Sequence, residues 1–340
     1  MLIGNLNTIP SIVNLPGQSS GLSEDYIVKV QPSLDTNNPE TVTIGIRNLG
    51  NPYTVDWGDG EVTLEENPIP SHTYTEPGTN QYTVKVTPKK DPLLTGMQVT
   101  QLDVGSGNNA TERRVLIDVI QFGKNTVINA QSFMDGCQNL GADTDGDITA
   151  NDLPEITNAN AGQFAFRNCQ ALNTDKFAGL FKADNQKTQI TSLRACFLGC
   201  SKFNGAGIDA WDTSEVTSFL QMFDGATGFN QDLSNWDTRK ATTFQRMFED
   251  AGAFDQSLAG WDIPLLTNAQ NFKRRVSIPA IDYTPISEAN ASATLVSWGV
   301  TQTDIQEDVE LRLEGSTLTP AGELAQNALI SVKGWDIQLE

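Results

Sequence analysis

The sequence predicts a β-rich protein of several domains: an antiparallel β domain, then a solenoid of short repeats, then a small α/β cap. Segments within residues 26–87 alternate apolar and polar residues between turn residues, which is typical of half-buried strands. A short phrase then recurs, with 25 residues between Phe223 and Phe248, as in stacked repeats. Near the end, Thr319-Pro320 can start a helix, because proline suits the first helical position.

Composition narrows the classes of partner. The 340 residues carry 42 acidic and 22 basic side chains, a formal net charge of −20. Nucleic-acid binding and docking on anionic lipid both need cationic surfaces, so neither is expected. The sequence holds no apolar run long enough to span a bilayer, and its first residues lack the basic region of a signal peptide. We therefore expect neither membrane insertion nor the usual secretory route.

Residues 1–24 are rich in Gly, Pro, Ser and Asn with scattered Ile and Leu. They predict an extended N-terminal arm, with a disordered tail as the alternative. The strand segments that follow are DYIVKVQ, ETVTIGI, YTVDWGDGEVTL and QYTVKVT. Asp59-Gly60 is the expected turn pair within the third of them.

A family resemblance covers roughly residues 40–87. A W-G-D-G turn at 57–60 is followed by His72-x-Tyr74, by Gly78 and by a Y-x-V strand from Tyr82. These residues resemble the PKD domain, an immunoglobulin-like β-sandwich common in extracellular and virion proteins. The resemblance implies a spacer or binding module over residues 25–92 and no active site.

The repeats begin at Met134. Each has a large apolar residue, a small residue three later and Leu or Phe six later, as in MDGCQNL, FRNCQAL, FLGCSKF, FDGATGF and FEDAGAF. Stacked copies would bury these side chains in ladders, with Phe223 on Phe248, Phe229 on Phe254 and Trp236 on Trp261. Successive repeats about 4.8 Å apart give roughly 24 Å for five. The Asp after each Trp is expected to close a turn by accepting backbone N–H groups.

The repeat phrases also carry a resemblance. AFRNCQAL and CFLGCSKF resemble the leucine-rich repeats of BspA-like surface proteins, and FNQDLSNWDT resembles the related short-repeat bacterial surface and mycoplasma lipoprotein family. It implies a leucine-rich-repeat-like solenoid of about five repeats over 93–275, with a weak sixth at Asn271-Phe272. Residues 276–340 form the predicted C-terminal cap. In its helix we expect an apolar stripe of Leu324, Ala325, Ala328 and Leu329.

Catalytic chemistry is not indicated by any motif. The sole histidine, His72, lacks a metal-ligand partner at useful spacing, so a structural role is favoured. Cys137, Cys169 and Cys200 share one repeat position that Ala226 and Ala251 occupy later. That exchange favours three buried, reduced thiols in a ladder, with a bridge between adjacent repeats as the alternative. The short basic clusters at 111–114 and 273–275 are interpreted as surface ion pairs.

One acidic stretch, residues 141–152, resembles an ion-binding loop. Asp143, Asp145 and Asp152 fall at positions 3, 5 and 12 of an EF-hand-like loop, but Gly141 stands at position 1. A solvated insertion is the favoured interpretation. A weak calcium site at these three aspartates is the alternative, and calcium is the one cofactor considered.

These observations favour a non-enzymatic virion surface protein of a bacteriophage, either a head decoration or a tail or fibre component. It would contact other virion proteins through its arm, act in many copies or as an oligomer, and present its repeats to a host-surface protein or glycan. The absence of a recognisable export signal or anchor favours this over the alternative, a bacterial cell-surface adhesin. An enzyme is the third hypothesis and has no spaced pair of carboxylates to support it.

The acidic stretch gives a direct prediction. If Asp143, Asp145 and Asp152 bind calcium, added calcium raises the melting temperature and a chelator lowers it, because a ligand that binds the folded state alone stabilises it. Thermal unfolding with calcium, with magnesium as the control cation, measures this. Identical melting temperatures in calcium and in chelator would support the interpretation of this stretch as a solvated insertion.

Overall fold

The computed structural model describes residues 25–32, 41–45, 53–65, 71–75, 80–88, 103–104, 116–122, 127–128, 131–144, 146–182, 188–274, 285–302 and 304–339. Within these ranges the protein is β-rich, with antiparallel sheets and few helices. The predicted arm lies outside the described residues. No helix in these ranges has the length and apolarity needed to cross a membrane.

Two antiparallel sheets form the first part of the chain. Their strands are β1 (Tyr26–Val30), β2 (Thr41–Gly45), β3 (Tyr53–Asp56), β4 (Val62–Glu65), β5 (Ser71–Thr73), β6 (Tyr82–Pro88), β7 (Asp103–Val104) and β8 (Leu116–Gln121). One sheet has the order β4-β3-β6-β1-β8 and the other β5-β2-β7. The four strand segments predicted from sequence are confirmed, and alternate residues of β1 are buried as a half-buried strand requires.

The turn between β3 and β4 is longer than the predicted two-residue turn, since five residues separate the paired Asp56 and Val62. The Asp56 and Asp59 carboxylates accept the N–H groups of the second residue after each, at 3.0 and 3.1 Å. Gly58 has φ +82°, and a Cβ there would lie 2.6 Å from the carbonyl oxygen of Thr83. The turn therefore needs glycine both for its backbone angle and for close packing on β6.

Strand β8 joins the sheet to the repeats. It pairs with β1 on one side. On the other, the carbonyls of Ile117 and Val119 accept the N–H groups of Gly141 and Ala150, both at 2.8 Å. A short parallel pair follows, β9 (Val127–Ile128) with β10 (Glu155–Ile156). The backbone ladder therefore continues from the sheet into the first repeat.

The folded repeats, which we call coils, stack in register. The N–H groups of alternate residues in one coil donate to carbonyls of the next, as from Gln221 to Gln245 at 3.0 Å and from Phe223 to Met247 at 2.9 Å. Parallel bridges link the same coils one after another: Ser192 pairs with Ser218, Ser218 with Thr243, and Thr243 with Asn268. Each coil thus satisfies the backbone groups of its neighbour, which a buried backbone requires.

Two left-handed backbone positions recur in the coils and shape them, the earlier in six coils and the later in the five whose position is described. The core position is the large apolar residue that opens each phrase. The backbone angle φ is positive two residues before the core position, at Ser132, Phe164, Ala195, Gln221, Arg246 and Asn271. It is also positive two residues after the core position, at Gly136, Asn168, Gly199, Gly225 and Asp250. The later position uses only Gly, Asn or Asp, which tolerate this conformation. The earlier one accepts larger residues at a cost in strain.

The three predicted ring ladders are confirmed. Ring centroids lie 5.5 Å apart for Phe223 and Phe248, 6.0 Å for Phe229 and Phe254, and 6.4 Å for Trp236 and Trp261, with interplanar angles of 6° in each pair. These separations exceed the expected spacing of about 4.8 Å, because parallel rings prefer an offset to direct overlap.

Polar ladders accompany the rings. The indole N–H groups of Trp211, Trp236 and Trp261 donate to carbonyls of the preceding coil at 2.8–3.0 Å. The Asp212 and Asp237 carboxylates accept turn N–H groups at 3.1 Å, as predicted. The equivalent bond at Asp262 is prevented because Pro264 has no N–H.

An asparagine ladder runs along one edge of the stack. The side-chain oxygens of Asn173, Asn204 and Asn230 accept the N–H of the equivalent residue one coil later, at 2.8–2.9 Å. The last step ends at Asp255, which accepts the Ser287 N–H at 2.7 Å. The segment after the repeats therefore provides the hydrogen bond that a further coil would make.

The C-terminal segment continues the same ladder. Its elements are β11 (Ala269–Lys273), α1 (Glu288–Val296), β12 (Glu310–Leu313), α2 (Pro320–Lys333) and β13 (Asp336–Gln338). The three strands are parallel, in the order β11-β12-β13, so β11, the last coil, is also the first strand of this sheet. Helix α2 begins at Pro320 as predicted, and the Thr319 hydroxyl caps it by accepting the Gly322 N–H.

The predicted apolar stripe of α2 is partly wrong. Ala325 and Leu329 are buried one turn apart, as expected for a helix packed on one face. Ala328 is half-buried, but Leu324 is 72% exposed, because it lies about 100° around the helix from Ala325.

All four cysteines are buried free thiols, which confirms the favoured interpretation. The thiols of Cys169 and Cys200 donate to carbonyls of the preceding coil at 3.1 and 2.8 Å. Burial raises the pKa of both thiols and of Cys196. They are therefore unreactive while the protein is folded.

Cys169→Ala should cost about 1 kcal/mol or less, because alanine fills the same position in later coils. Phe223→Ala should cost about 3–5 kcal/mol, because it empties the centre of a ring ladder. Denaturant unfolding measures both, and thiol titration of unfolded, unreduced protein should find four thiols. A Cys169→Ala cost as large as that of Phe223→Ala would contradict the ladder argument.

Candidate binding surface

A row of polar side chains flanks the ring ladder along the coils. The residue after the core position contributes to it in five coils, whereas the third coil has Leu198 there, and neighbouring amides and guanidiniums widen it. We call this the polar row: Asp135, Arg167, Gln221, Asp224, Gln245, Arg246, Glu249, Gln270 and Arg274. Because the coils stack in register, equivalent side chains are brought side by side although about 25 residues separate them in the chain.

Ion pairing orients the side chains in the first part of the polar row. Arg167 donates to the Asp135 carboxylate through Nε at 2.8 Å and through a second guanidinium nitrogen. This contact raises the pKa of Arg167. The Arg167 and Arg194 guanidiniums both lie over the Phe164 ring, at 4.7 and 5.3 Å from its centroid. Two-point pairing and cation–π contacts fix the planes of these groups before a partner arrives.

Amides and carboxylates form the later part. Gln221 donates to Asp224 at 3.0 Å, and Gln245 donates to Gln270 of the next coil at 3.2 Å. Each of these contacts joins an amide hydrogen to a side-chain oxygen. Such groups match hydroxyls and amides of a glycan or an extended peptide, which need both donors and acceptors.

Glu249 is the most constrained group in the row. Its side chain pairs with Arg246 at 3.1 Å and lies 4.0 Å from Arg274. The residue is 3% exposed, and its Oε1 has no hydrogen-bond partner. Burial, then the charge of Asp224, raises its pKa, and burial raises that of Asp224. The guanidiniums of Arg246 and Arg274 balance the charge of Glu249, and the buried carboxylate in turn orients both of them along the row.

The predicted calcium residues have other contacts. Asp143 pairs with Lys29 of β1 at 2.9 Å, and Asp152 accepts the Phe122 N–H at 3.0 Å. Asp145 lies outside the described residues. Within the described ranges no three His, Cys, Asp or Glu side chains are grouped as metal ligands. The calcium site stays a prediction.

His72 lies between the two N-terminal sheets. Its ring stacks on Trp57 at 5.0 Å, and Nε2 lies 2.7 Å from the Asp59 carboxylate. The residue is 8% exposed. These contacts agree with the structural role expected from the sequence.

Lys273 contradicts the surface ion pair predicted for residues 273–275. It is 1% exposed, and its Nζ donates to the Ala251 carbonyl at 2.7 Å. Burial lowers its pKa to about 7, although the Asp255 charge opposes this. It occupies the core position of the sixth coil, 25 residues after Phe248. Extending the repeat by one unit in the sequence would have found it. Arg274 lies near the buried Glu249, and the other predicted basic cluster, 111–114, is outside the described residues.

Comparison with protein families adds one match. A family model described as "Mycoplasma protein of unknown function, DUF285" matches residues 160–278, less than half of the chain. This agrees with the resemblance of the repeats to mycoplasma surface proteins. Searches of curated proteins and of solved structures found no match.

The buried lysine predicts a specific pH dependence. The unfolded chain holds the Lys273 proton more tightly than the folded protein between pH 7 and the ordinary pKa of 10.5. This residue therefore destabilises the fold below pH 7, and that cost decreases by about 1.4 kcal/mol per pH unit as the pH rises. Lys273→Met should stabilise the protein relative to wild type at pH 6, and the difference should shrink toward pH 9.

Urea unfolding of both proteins at several pH values measures this. The difference in unfolding free energy between the two proteins does not contain the contribution of cysteine ionisation, because both proteins share it. Lys202→Met is the control, because Lys202 is exposed, and its effect should not vary with pH. A pH-independent effect of Lys273→Met would contradict the assignment.

Proposed function

We propose that this chain is a non-enzymatic structural protein of a bacteriophage virion surface, as a head decoration or a tail or fibre component. In this role the coils present the polar row to a host-surface protein or glycan. The observation that carries the proposal is the polar row itself: oriented guanidiniums, carboxylates and amides on a backbone ladder. Ordered groups on a rigid scaffold bind with little loss of entropy.

The finer architecture belongs to the same proposal. The N-terminal sheets form a PKD-like sandwich over residues 25–92, the coils a leucine-rich-repeat-like solenoid over 93–275, and residues 276–340 its cap. Support comes from the stacking of Trp57 on His72 between the sheets and from the coil-to-coil ladder. The sandwich then separates the recognition surface from the attachment point, which the arm forms with other virion proteins.

A bacterial cell-surface adhesin is the second candidate. The match of residues 160–278 to a family described from Mycoplasma favours it, because mycoplasmas are cells and the repeats of this chain resemble those of bacterial surface proteins. Both candidates use the polar row for binding and differ in where the protein resides, on the virion or on the cell surface.

Location is tested by mass spectrometry of purified virions from cells that carry the gene, beside membrane and wall fractions of the same cells. The virion proposal expects the chain among the particle proteins. Its presence only in the cell-surface fractions would favour the adhesin.

Recognition is tested with purified protein and intact host cells. Gln245→Ala with Gln270→Ala should weaken binding about tenfold or more, because central contacts dominate binding energy. Ser234→Ala, exposed and outside the polar row, should bind as wild type does. Equal binding by both variants would exclude the polar row as the contact surface.

A further inference from the structure

The coil ladder stops at an open edge. Parallel pairing proceeds from the Ser192 coil through Ser218, Thr243 and Asn268, then through β12 to β13. Among the strands that the structure describes, β13 pairs on one side only, with β12. The Asp336 N–H donates to Val309 on that side. Since neighbouring residues of a parallel strand direct their backbone groups to opposite sides, those of Ile337 point to the open edge.

A cavity adjoins this edge. It has a volume of about 490 Å³ and is lined by Arg312, Gln326, Ile337, Gln338 and Leu339. Its walls thus combine two aliphatic side chains, two carboxamides and one guanidinium. Ile330 is 42% exposed and lies one helical turn from Gln326 on α2, so an apolar side chain extends the wall on that face.

The geometry selects an extended segment. A strand added to β13 would continue the spacing and direction of the preceding coils, and its side chains would reach the cavity beside that edge. The first coil of a second copy cannot provide this added strand by stacking end to end. At the other end of the stack, β8 already bonds Gly141 and Ala150 and pairs with β1.

One segment of this chain has the matching chemistry. Residues 1–23 contain no charged side chain, although the whole chain has a net charge of −20. They interleave Ile, Leu and Val with Asn, Ser and Thr. Such a segment can approach a like-charged copy without repulsion, and its amides and aliphatic groups match those that line the cavity.

We propose that residues 1–23 of one copy bind along β13 and in the adjoining cavity of a second copy. The inference rests on the proposed function, in which the arm contacts other virion proteins, and it names a second copy of this chain as one of them and the site that receives the arm. Copies would then link in one direction, arm to β13. Such a contact is heterologous, so it builds rings or extended arrays.

Disulfide trapping between full-length chains tests the proposal. Thr8→Cys, Ser11→Cys or Asn14→Cys in the arm is mixed with Gln326→Cys at the cavity under mild oxidation. The native cysteines are buried and wild type shows their background. At least one arm position should give several-fold more mixed dimer with Gln326→Cys than with Leu324→Cys, a control on the same helix that is 72% exposed.

Equal trapping at Gln326→Cys and Leu324→Cys, or none at any arm position, would overturn the proposal. A chain carrying both Ser11→Cys and Gln326→Cys that links only to itself would overturn the second copy as occupant. Sedimentation gives an independent measurement: Leu339→Asp should weaken self-association at least tenfold, and Leu324→Asp should not. If the mixed dimers form but the chain is absent from virions, the proposed function alone is refuted. If the chain is present in virions but no mixed dimers form, this inference alone is refuted.

Discussion

The structure depends on one constraint: successive coils must meet in the same register so that their backbone groups satisfy each other. Two left-handed residues in each coil set the path that makes this possible. With the path fixed, the N–H groups of Phe219, Phe223 and Gly225 reach carbonyls of the following coil at 2.8–3.1 Å. The side-chain ladders are a consequence, because equivalent residues of a repeated path lie above one another.

The same register explains why charged groups are buried in a fold with a ring core. A residue at the core position is buried whatever its type, so Lys273 is enclosed where earlier coils place Phe248 and Phe223. Glu249 is enclosed likewise beside Asp224. Each costs free energy, since burial disfavours the charged form. The ring and backbone ladders supply the stability that makes these costs tolerable.

Much of this fold could be predicted because it repeats. The phrases gave the pairing of Phe223 with Phe248 and of Trp236 with Trp261, and the Cys-to-Ala exchange indicated buried thiols. The alternation of apolar residues gave the N-terminal strands. The left-handed position before each core residue was missed, because Arg246 and Gln221 carry no sign of it. Its partner position was readable, since it holds only Gly, Asn or Asp.

The polar row could not be predicted as a surface. Arg167 and Gln270 lie far apart in sequence, and their positions depend on packing against neighbours in other coils. The predicted acidic loop was chosen on local spacing alone, and its Asp143 instead contacts Lys29, from a strand more than a hundred residues earlier. Local patterns describe elements, whereas sites are assembled by contacts between elements.

The asparagine ladder has a consequence for how such a chain can change length. The side-chain oxygens of Asn173, Asn204 and Asn230 each bond to the coil that follows, and Asp255 makes the same bond to the segment after the repeats. The junctions from Asn173 onward therefore use one chemistry, whether the next element is a coil or the terminal segment. Duplication of a 25-residue unit in the gene would insert a coil without requiring a new junction, and would lengthen the molecule by roughly 5 Å. Repeat number can thus act as a ruler that sets the reach of the protein while both ends stay unchanged.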